Sequence, residues 1–505
     1  MRRLKINSLL FSERSEFFQI HDLSGVVGID KIREDVMNVA AQLENLNIRP
    51  QENIAIICDN HSCFLSALMA IVSVGAVAIP LDPQINIASL NEIVEKFNIK
   101  YSFIYGKRAE KLYHNDEIDN AIFFYDGTTW VSPNRIKRSE SFHQVEAFND
   151  GLEPAIILLT SGTADLMHKG VLISHESIIN NIESIIDYMH PLKEESLYIA
   201  KSLAHISSVI GELLMGLAVG MTLYVYNPIV PYSVMIKRII DCRPDYVVVN
   251  PTLLYHVTKY VENNKRTLPV KAIYTCGGFA GTELINKARK TFAPAKIYNM
   301  YGLTEAGPRV TSQTDETDNY EAGFAGKAIK NVSIKIVNDN KECDMYEKGS
   351  IMVKSNALMI GYYGNPELTS EKIRDGWLLT GDVGYLNNNQ ELYVLGRADD
   401  VVVRSGKNIN LNIIEELISG MEEIKECIVF SIPELINQNK IICAYVKNGD
   451  KYVDLAMVRE RCLTKLFPYE CPQQMVEWNA IPKTNSNKKS RRRASELFMK
   501  EGKPT

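Results

Sequence analysis

An α/β fold is predicted: a large N-terminal domain of mixed, mostly parallel sheets with helices plus a β-rich subdomain, followed by a small α+β C-terminal domain. Three observations predict it. Short apolar runs alternate with helix-periodic runs over residues 30–106 and again over 155–301, the pattern of strands joined by crossover helices. Helical periodicity then fades over 324–395, where short alternating strands dominate. After Arg397 a smaller mixed unit starts. The division is expected at 1–396 and 397–505.

In order, IDKIREDVMNVAAQLENL reads as a helix, NIAIIC as a strand, CFLSALMAIVSV as a buried helix and AVAIPL as a strand. SLNEIVEKFN is amphipathic and YSFIYG closes the first series. AIILLT (155–160) resumes it, followed by helix-like SHESIINNIESIIDYM and the strands MTLYVY, DYVVVN, KAIYTC and AKIYNM. VSIKIV and GSIMVK belong to the β-rich stretch. The last unit holds ADDVVVRSGKNINLNIIEELISG, CIVFSI, IICAYVK and a helix near 455–466. No repeat or low-complexity block interrupts these elements.

Composition narrows the class. With 505 residues the chain has material for more than one domain. A formal net charge of −5 gives no basic footprint for nucleic acid or an anionic membrane surface. Nine scattered cysteines without a C-x-x-C pair argue against a disulfide framework or a zinc site. The most apolar stretch, 63–79, contains Ser66, Ser73 and Gly75 and stops at Pro80. It falls short of the ~20 apolar residues of a membrane span. A cytoplasmic protein with no membrane span and no nucleic-acid partner is expected.

Six segments carry chemistry. LLTSGTADLMHKGVLISH runs from a strand into Thr160, Ser161, Gly162 and Thr163, with Lys169 beyond. Small residues let backbone N–H groups approach a phosphate, hydroxyls add donors, and lysine neutralises charge. It is not a Walker A loop, which requires G-x-x-x-x-G-K-S/T. TCGGFAG follows the strand KAIYT, and IYNMYGLTEAG offers Tyr301 as a flat face for a base, Gly302 for a tight turn, Thr304 as a hydroxyl and Glu305 as a carboxylate for Mg²⁺. GWLLTGDVGYL places Asp382 between glycines, which reads as a turn presenting a carboxylate to ribose hydroxyls. LGRADDVVVRSGKNI holds Arg397, Asp399 and Asp400, and IPKTNSNKKSRRR holds Lys488. Alone, each segment reads as an ordinary turn, core aromatic, surface acid or solvated tail.

In this order and spacing the six segments, together with GYYGNPELTSEKIRDGWLLTGD, resemble the adenylate-forming superfamily of acyl- and aryl-CoA synthetases, stand-alone adenylation enzymes and firefly luciferase. The resemblance covers essentially the whole chain. It implies ATP with Mg²⁺ at the junction of a large domain and a small mobile one. The 160–169 loop would wrap the β- and γ-phosphates; Gly277, Gly278, Asn299, Met300 and Tyr301 would enclose adenine. Thr304 would touch the α-phosphate, Glu305 would hold the metal, and Asp382 and Arg397 would bind ribose. Lys488 matches the lysine that bridges the substrate carboxylate and the α-phosphate. Asp399 matches the hinge, and Gly406 and Asn408 the face that meets the incoming thiol.

The chain departs from the family pattern T-S-G-T-T-G-x-P-K-G: Ala164 replaces a threonine, Asp165 stands at the second glycine, and one residue is added before Lys169. In the acyl-pocket segment, amino-acid activators read F-D-x-S-V, whereas His205, Ile206, Ser207, Ser208 and Val209 stand here. Ile206 offers no partner for an ammonium, whose unpaired burial is costly, so the acid is expected not to be an α-amino acid. His205 resembles the histidine beside the carboxylate in many CoA synthetases. The resemblance implies a small carboxylic acid activated to an acyl-adenylate with release of pyrophosphate, then thioester formation. SGKNINL is closer to CoA ligases. The alternatives are loading of a carrier-protein phosphopantetheine, and a degenerate nucleotide-binding protein suggested by the altered loop.

Overall fold

The computed structural model describes residues 5–500 except 86, 107–120, 132–150, 161–168, 229–230, 279, 314–319, 322, 339–340, 398–399, 405–406, 435–437, 464–465, 467, 469 and 485–488. Ser161, Gly162, Thr163, Asp399, Gly406 and Lys488 lie outside the described residues.

Two large sheets dominate the described residues, among which their strands are counted. The first has eight strands; Asn53–Cys58, Val77–Leu81, Tyr101–Tyr105 and Ala121–Tyr125 are parallel within it, and Pro154–Thr160 joins parallel to Val77–Leu81. Every residue of Asn53–Cys58 and Val77–Leu81 is buried, which explains their continuous apolar runs. The helix Ser62–Ser73, buried from Ser62 through Val72, packs between this sheet and the helix Ile29–Asn45.

The second sheet has fifteen strands. One half is parallel, in the order Gln19–Asp22, Thr222–Val225, Ser196–Ile199, Tyr246–Val249, Ala272–Thr275, Lys296–Tyr301. The other half is antiparallel, beginning at Thr311–Ser312 and running through Phe324–Ala328, Glu391–Arg397, Trp377–Leu386, Gly349–Ser355 and Val332–Asn338. The scarcity of helices over 324–395, where the described residues hold only Pro366–Lys372, marks this change. The strand Ser196–Ile199 and the hairpin of Gln19–Asp22 with Gly25–Gly28 were not among the predicted elements, because they are short and give little periodicity.

The last part contains a hairpin, Val401–Arg404 with Lys407–Asn410, the helix Leu411–Ser419 and a three-stranded sheet of Ile424–Glu434, Gln438–Lys447 and Gln474–Glu477. Its apolar side chains form clusters of their own, drawn from 402–498. The helix expected near 455–466 spans Leu455–Leu463.

The N-terminal segment is seated on a buried histidine. His175 is 2% exposed at the start of the helix His175–Met189, and its Nδ1 accepts a hydrogen bond from the Ile6 N–H at 3.3 Å. Burial first, then the Lys5 charge, lowers its pKa to about 3. Below the ordinary value of ~6.5 the unfolded chain takes up a proton that the fold refuses, so stability falls as pH drops through this window. The loss reaches ~2 kcal/mol by pH 5. Melting temperatures from pH 7 to pH 5 should therefore fall more steeply for the wild type than for His175→Gln; equal slopes would remove His175 as the cause.

Candidate active site

The parallel half of the large sheet ends its strands on one side, and ligands of open α/β sheets bind at such carboxyl edges. Lys296–Tyr301 delivers Asn299, Met300 and Tyr301 there, and Ala272–Thr275 delivers the exposed Gly277 and Gly278 just beyond its end. Asn299 is 6% exposed; its amide nitrogen donates to the Tyr320 hydroxyl at 3.0 Å and to the Phe324 carbonyl at 2.6 Å. Its Oδ1 has no hydrogen-bond partner, so an acceptor is what Asn299 offers a base.

Asp382 departs from expectation. It lies inside the ten-residue strand Trp377–Leu386, not at a turn. The glycines serve the strand: Gly381 has φ +78°, and the register with Glu391–Arg397 shifts between Val383 and Gly384, a bulge that re-aims side chains. Antiparallel pairing sets Asp382 directly opposite Arg397. The Tyr301 hydroxyl donates to Asp382 Oδ2 at 2.5 Å, and Arg397 Nη1 donates to Asp382 Oδ1 at 3.4 Å and to the Thr380 carbonyl at 3.3 Å. Three residues from three segments, 301, 382 and 397, thus converge on one point. Burial raises the Asp382 pKa, against the opposing Arg397 charge and the Tyr301 hydrogen bond. Burial and the adjoining carboxylate hold the Tyr301 phenol well above its usual range, so it stays a neutral donor.

Beside this point the chain turns sharply. A Cβ at Gly302 would run into the Pro308 carbonyl, so only glycine fits the return that leads into the short turn Thr304–Ala306. Glu305 is anchored at both ends: its carbonyl accepts the Met359 N–H at 2.9 Å and its Oε1 accepts the Tyr362 hydroxyl at 3.0 Å. Its charge helps to raise Asp382. Tyr362 pairs opposite Val171, and Lys169 Nζ lies 6.0 Å from its ring centroid. Lys169 is also the register partner of Thr160, so the two ends of the phosphate-loop segment are pinned as an antiparallel pair. The roles of Tyr362 and of the register were not legible in sequence; Tyr362 reads only as part of a longer similar stretch.

His205 is exposed at the start of the short helix Ile206–Ser208, and Ile206 is half-buried. Asn408 sits in the small hairpin opposite Val403. Among the described residues no group of three or more His, Cys, Asp or Glu side chains forms a metal cage. A lone carboxylate such as Glu305 fits Mg²⁺, which is commonly held by one or two carboxylates together with phosphate oxygens and waters. No helix among the described residues is long and apolar enough to cross a membrane.

A mixed α/β protein in which an aromatic, a carboxylate and a guanidinium converge at the carboxyl edge of a sheet is the class defined so far. Residues 30–363 match the AMP-binding enzyme family and 413–488 match the AMP-binding enzyme C-terminal domain, so the chain belongs to the AMP-binding enzyme family, within the adenylate-forming superfamily. A curated relative is the 2-succinylbenzoate–CoA ligase of Geobacillus sp. (strain WCH70), 25% identical over 489 residues, 96% of this chain and 95% of that one. Solved structures with the same fold include ATP-bound MatB from Rhodopseudomonas palustris (TM-score 0.86, 19% identity, 100% of both chains). The o-succinylbenzoate CoA synthetase MenE from Bacillus subtilis, in complex with its acyl-adenylate intermediate OSB-AMP, is similar to the same degree (TM-score 0.86, 22% identity, 98% of both chains).

Proposed function

We propose that this chain is an acid–thiol ligase: it activates a small carboxylic acid, not an α-amino acid, with ATP and passes the acyl group to CoA. The observation that carries the reading is the meeting of Tyr301, Asp382 and Arg397 at the edge that Gly277, Gly278, Asn299 and Met300 also reach. In this reading the Tyr301 ring and the Asn299 acceptor hold adenine, while Asp382 and Arg397 hold the ribose. Thr160 to Lys169 surround the outer phosphates, with Thr304 on the α-phosphate. Glu305 holds Mg²⁺, which neutralises phosphate charge when bound with the nucleotide.

A substrate carboxylate oxygen attacks the α-phosphorus, the bond to the β-phosphate oxygen breaks, and pyrophosphate leaves. Lys488 offsets the repulsion between carboxylate and phosphate and the charge gathering on the phosphorus oxygens. The thiol sulfur, giving up its proton to solvent, then attacks the acyl carbon, the acyl carbon–phosphate oxygen bond breaks and AMP leaves. The small domain from Arg397 onward rotates at Asp399 between the two steps, exchanging Lys488 for the face around Gly406 and Asn408. A named CoA-ligase relative across nearly the whole length and the SGKNINL stretch support CoA as the acceptor.

The test is acid-dependent exchange of radiolabelled pyrophosphate into ATP across a carboxylate panel, followed by addition of CoA. Exchange with at least one acid and CoA-dependent release of AMP are expected. Binding of ATP without exchange for any acid would sink the reading in favour of a degenerate nucleotide-binding protein, and turnover only on a phosphopantetheinylated carrier would replace CoA.

A further inference from the structure

A buried polar cluster lies at the same sheet edge, outside the residues assigned above. Lys201 follows the strand Ser196–Ile199, and Cys276 follows Ala272–Thr275. Glu212 is 0% exposed and Arg309 is 1% exposed. Lys201 Nζ lies 2.8 Å from Glu212 Oε1, and donates to Ser207 Oγ at 3.0 Å and to the Val248 carbonyl at 3.4 Å. Arg309 Nη1 donates to the same Ser207 oxygen at 3.0 Å and to the Pro308 carbonyl at 2.9 Å, while Nη2 stands 4.0 Å from Glu212 Oε1. Ser207 in turn donates to Glu212 Oε1 at 3.0 Å, and its oxygen is 3.6 Å from Cys276 Sγ.

Among the described residues of the cluster two cations share one carboxylate, and buried charge that is incompletely compensated is costly. Tyr188, which reaches Arg309 from the helix His175–Met189, is pushed up to about 12 by burial and stays neutral. Burial raises the Cys276 thiol, yet the Lys201 and Arg309 charges outweigh that and lower it. Arg309 Nε and Glu212 Oε2 are buried without a hydrogen-bond partner, so the cluster keeps unused polar capacity. Its accessible side is formed by Lys201, whose side chain is 13% exposed, and half-buried Ser207. These flank the acyl-pocket residues His205 and Ile206.

We infer that the acid taken by this enzyme carries a second anionic group, held by Lys201 and Ser207 with Arg309 behind them. This rests on the acid-activating reading and adds the substrate class: dicarboxylic acids or comparably anionic acids. The group that reacts has to reach Thr304, beyond the strand Lys296–Tyr301. Lys201 and Arg309 meet on one Ser207 oxygen, and Arg309 lies on the stretch of chain that follows Thr304.

The full-length protein is tested in pyrophosphate exchange with linear dicarboxylic acids, their monomethyl esters and monocarboxylic acids of equal length. Diacids are expected to exceed matched monoacids by about 10–100-fold in kcat/KM, the range of one charged hydrogen bond. In Lys201→Met that ratio should collapse toward one, mainly through KM of the diacid, and Lys201→Arg should restore it. Calorimetric binding of the preferred diacid should weaken in parallel, independently of turnover. A merely structural role for the cluster would lower the melting temperature and depress both acid classes equally, overturning the inference. Equal or better use of monoacids by the wild type would also overturn it. Absence of exchange with every acid would defeat the activation reading; calorimetry would then still decide whether Lys201 binds a diacid.

Discussion

Lys488→Ala is expected to slow acid-dependent pyrophosphate exchange by about 10²–10³-fold, the scale of losing one positioned group that stabilises developing oxyanion charge. The physical reason is that carboxylate and α-phosphate repel one another, and the transition state gathers further charge on phosphorus oxygens. In the proposed reading, one cation set between them lowers both barriers. The neighbouring residues tie this segment to the small domain. Lys489 Nζ is 2.7 Å from Glu415 Oε1, and Arg491 donates to Asp400 Oδ1 at 3.0 Å, Asn412 Oδ1 at 2.7 Å and Glu415 Oε2 at 3.1 Å. Lys488→Ala leaves these ties in place, so the melting temperature should hold while exchange collapses. Exchange at the wild-type rate would take the lysine out of its assigned role, whatever the thermal behaviour.

Asp382→Asn should separate binding from stability. Ribose hydroxyls donating to a carboxylate make charge-assisted bonds, and loss of the charge is expected to cost about 3 kcal/mol, on the order of 10²-fold in kcat/KM for ATP. Stability should move the other way. Asp382 is 7% exposed, and burial raises its pKa above the ordinary value. The folded chain therefore holds that proton more readily than the unfolded chain, and ionisation costs the fold stability as pH rises from the unfolded value through the folded one. Asparagine carries no charge and still accepts from Tyr301, so the melting temperature at pH 7 should be equal or higher. A clear drop would mean that pairing with Arg397 outweighs desolvation, and would refute this account of the buried carboxylate.

Local patterns carried much of this in the amino-acid order. The helix Ile29–Asn45, the strand Asn53–Cys58 and the helix Ser62–Ser73 follow from periodicity and apolar run length, since each buries a continuous stripe or both faces. The segments around 160, 277, 301, 382, 397 and 488 stood out as candidates in the sequence because small, hydroxylic and charged residues follow one another there in a recognisable order. Asp382 misled: two glycines read as a turn, and the structure uses them for a positive φ and a bulge inside a strand.

The amino-acid order by itself determined the α/β class, the change to a β-rich part, the small C-terminal unit and the residue types available for binding a nucleotide. Only the tertiary structure decided which of them meet. Asp382 faces Arg397 through antiparallel register, Tyr301 reaches both from a different strand, and Tyr362 braces Glu305. Nor does spacing along the chain show that Lys201, Ser207, Glu212 and Arg309 share one buried cluster. Strand order and register are set by packing summed over the whole core, whereas periodicity reports only what each segment buries by itself.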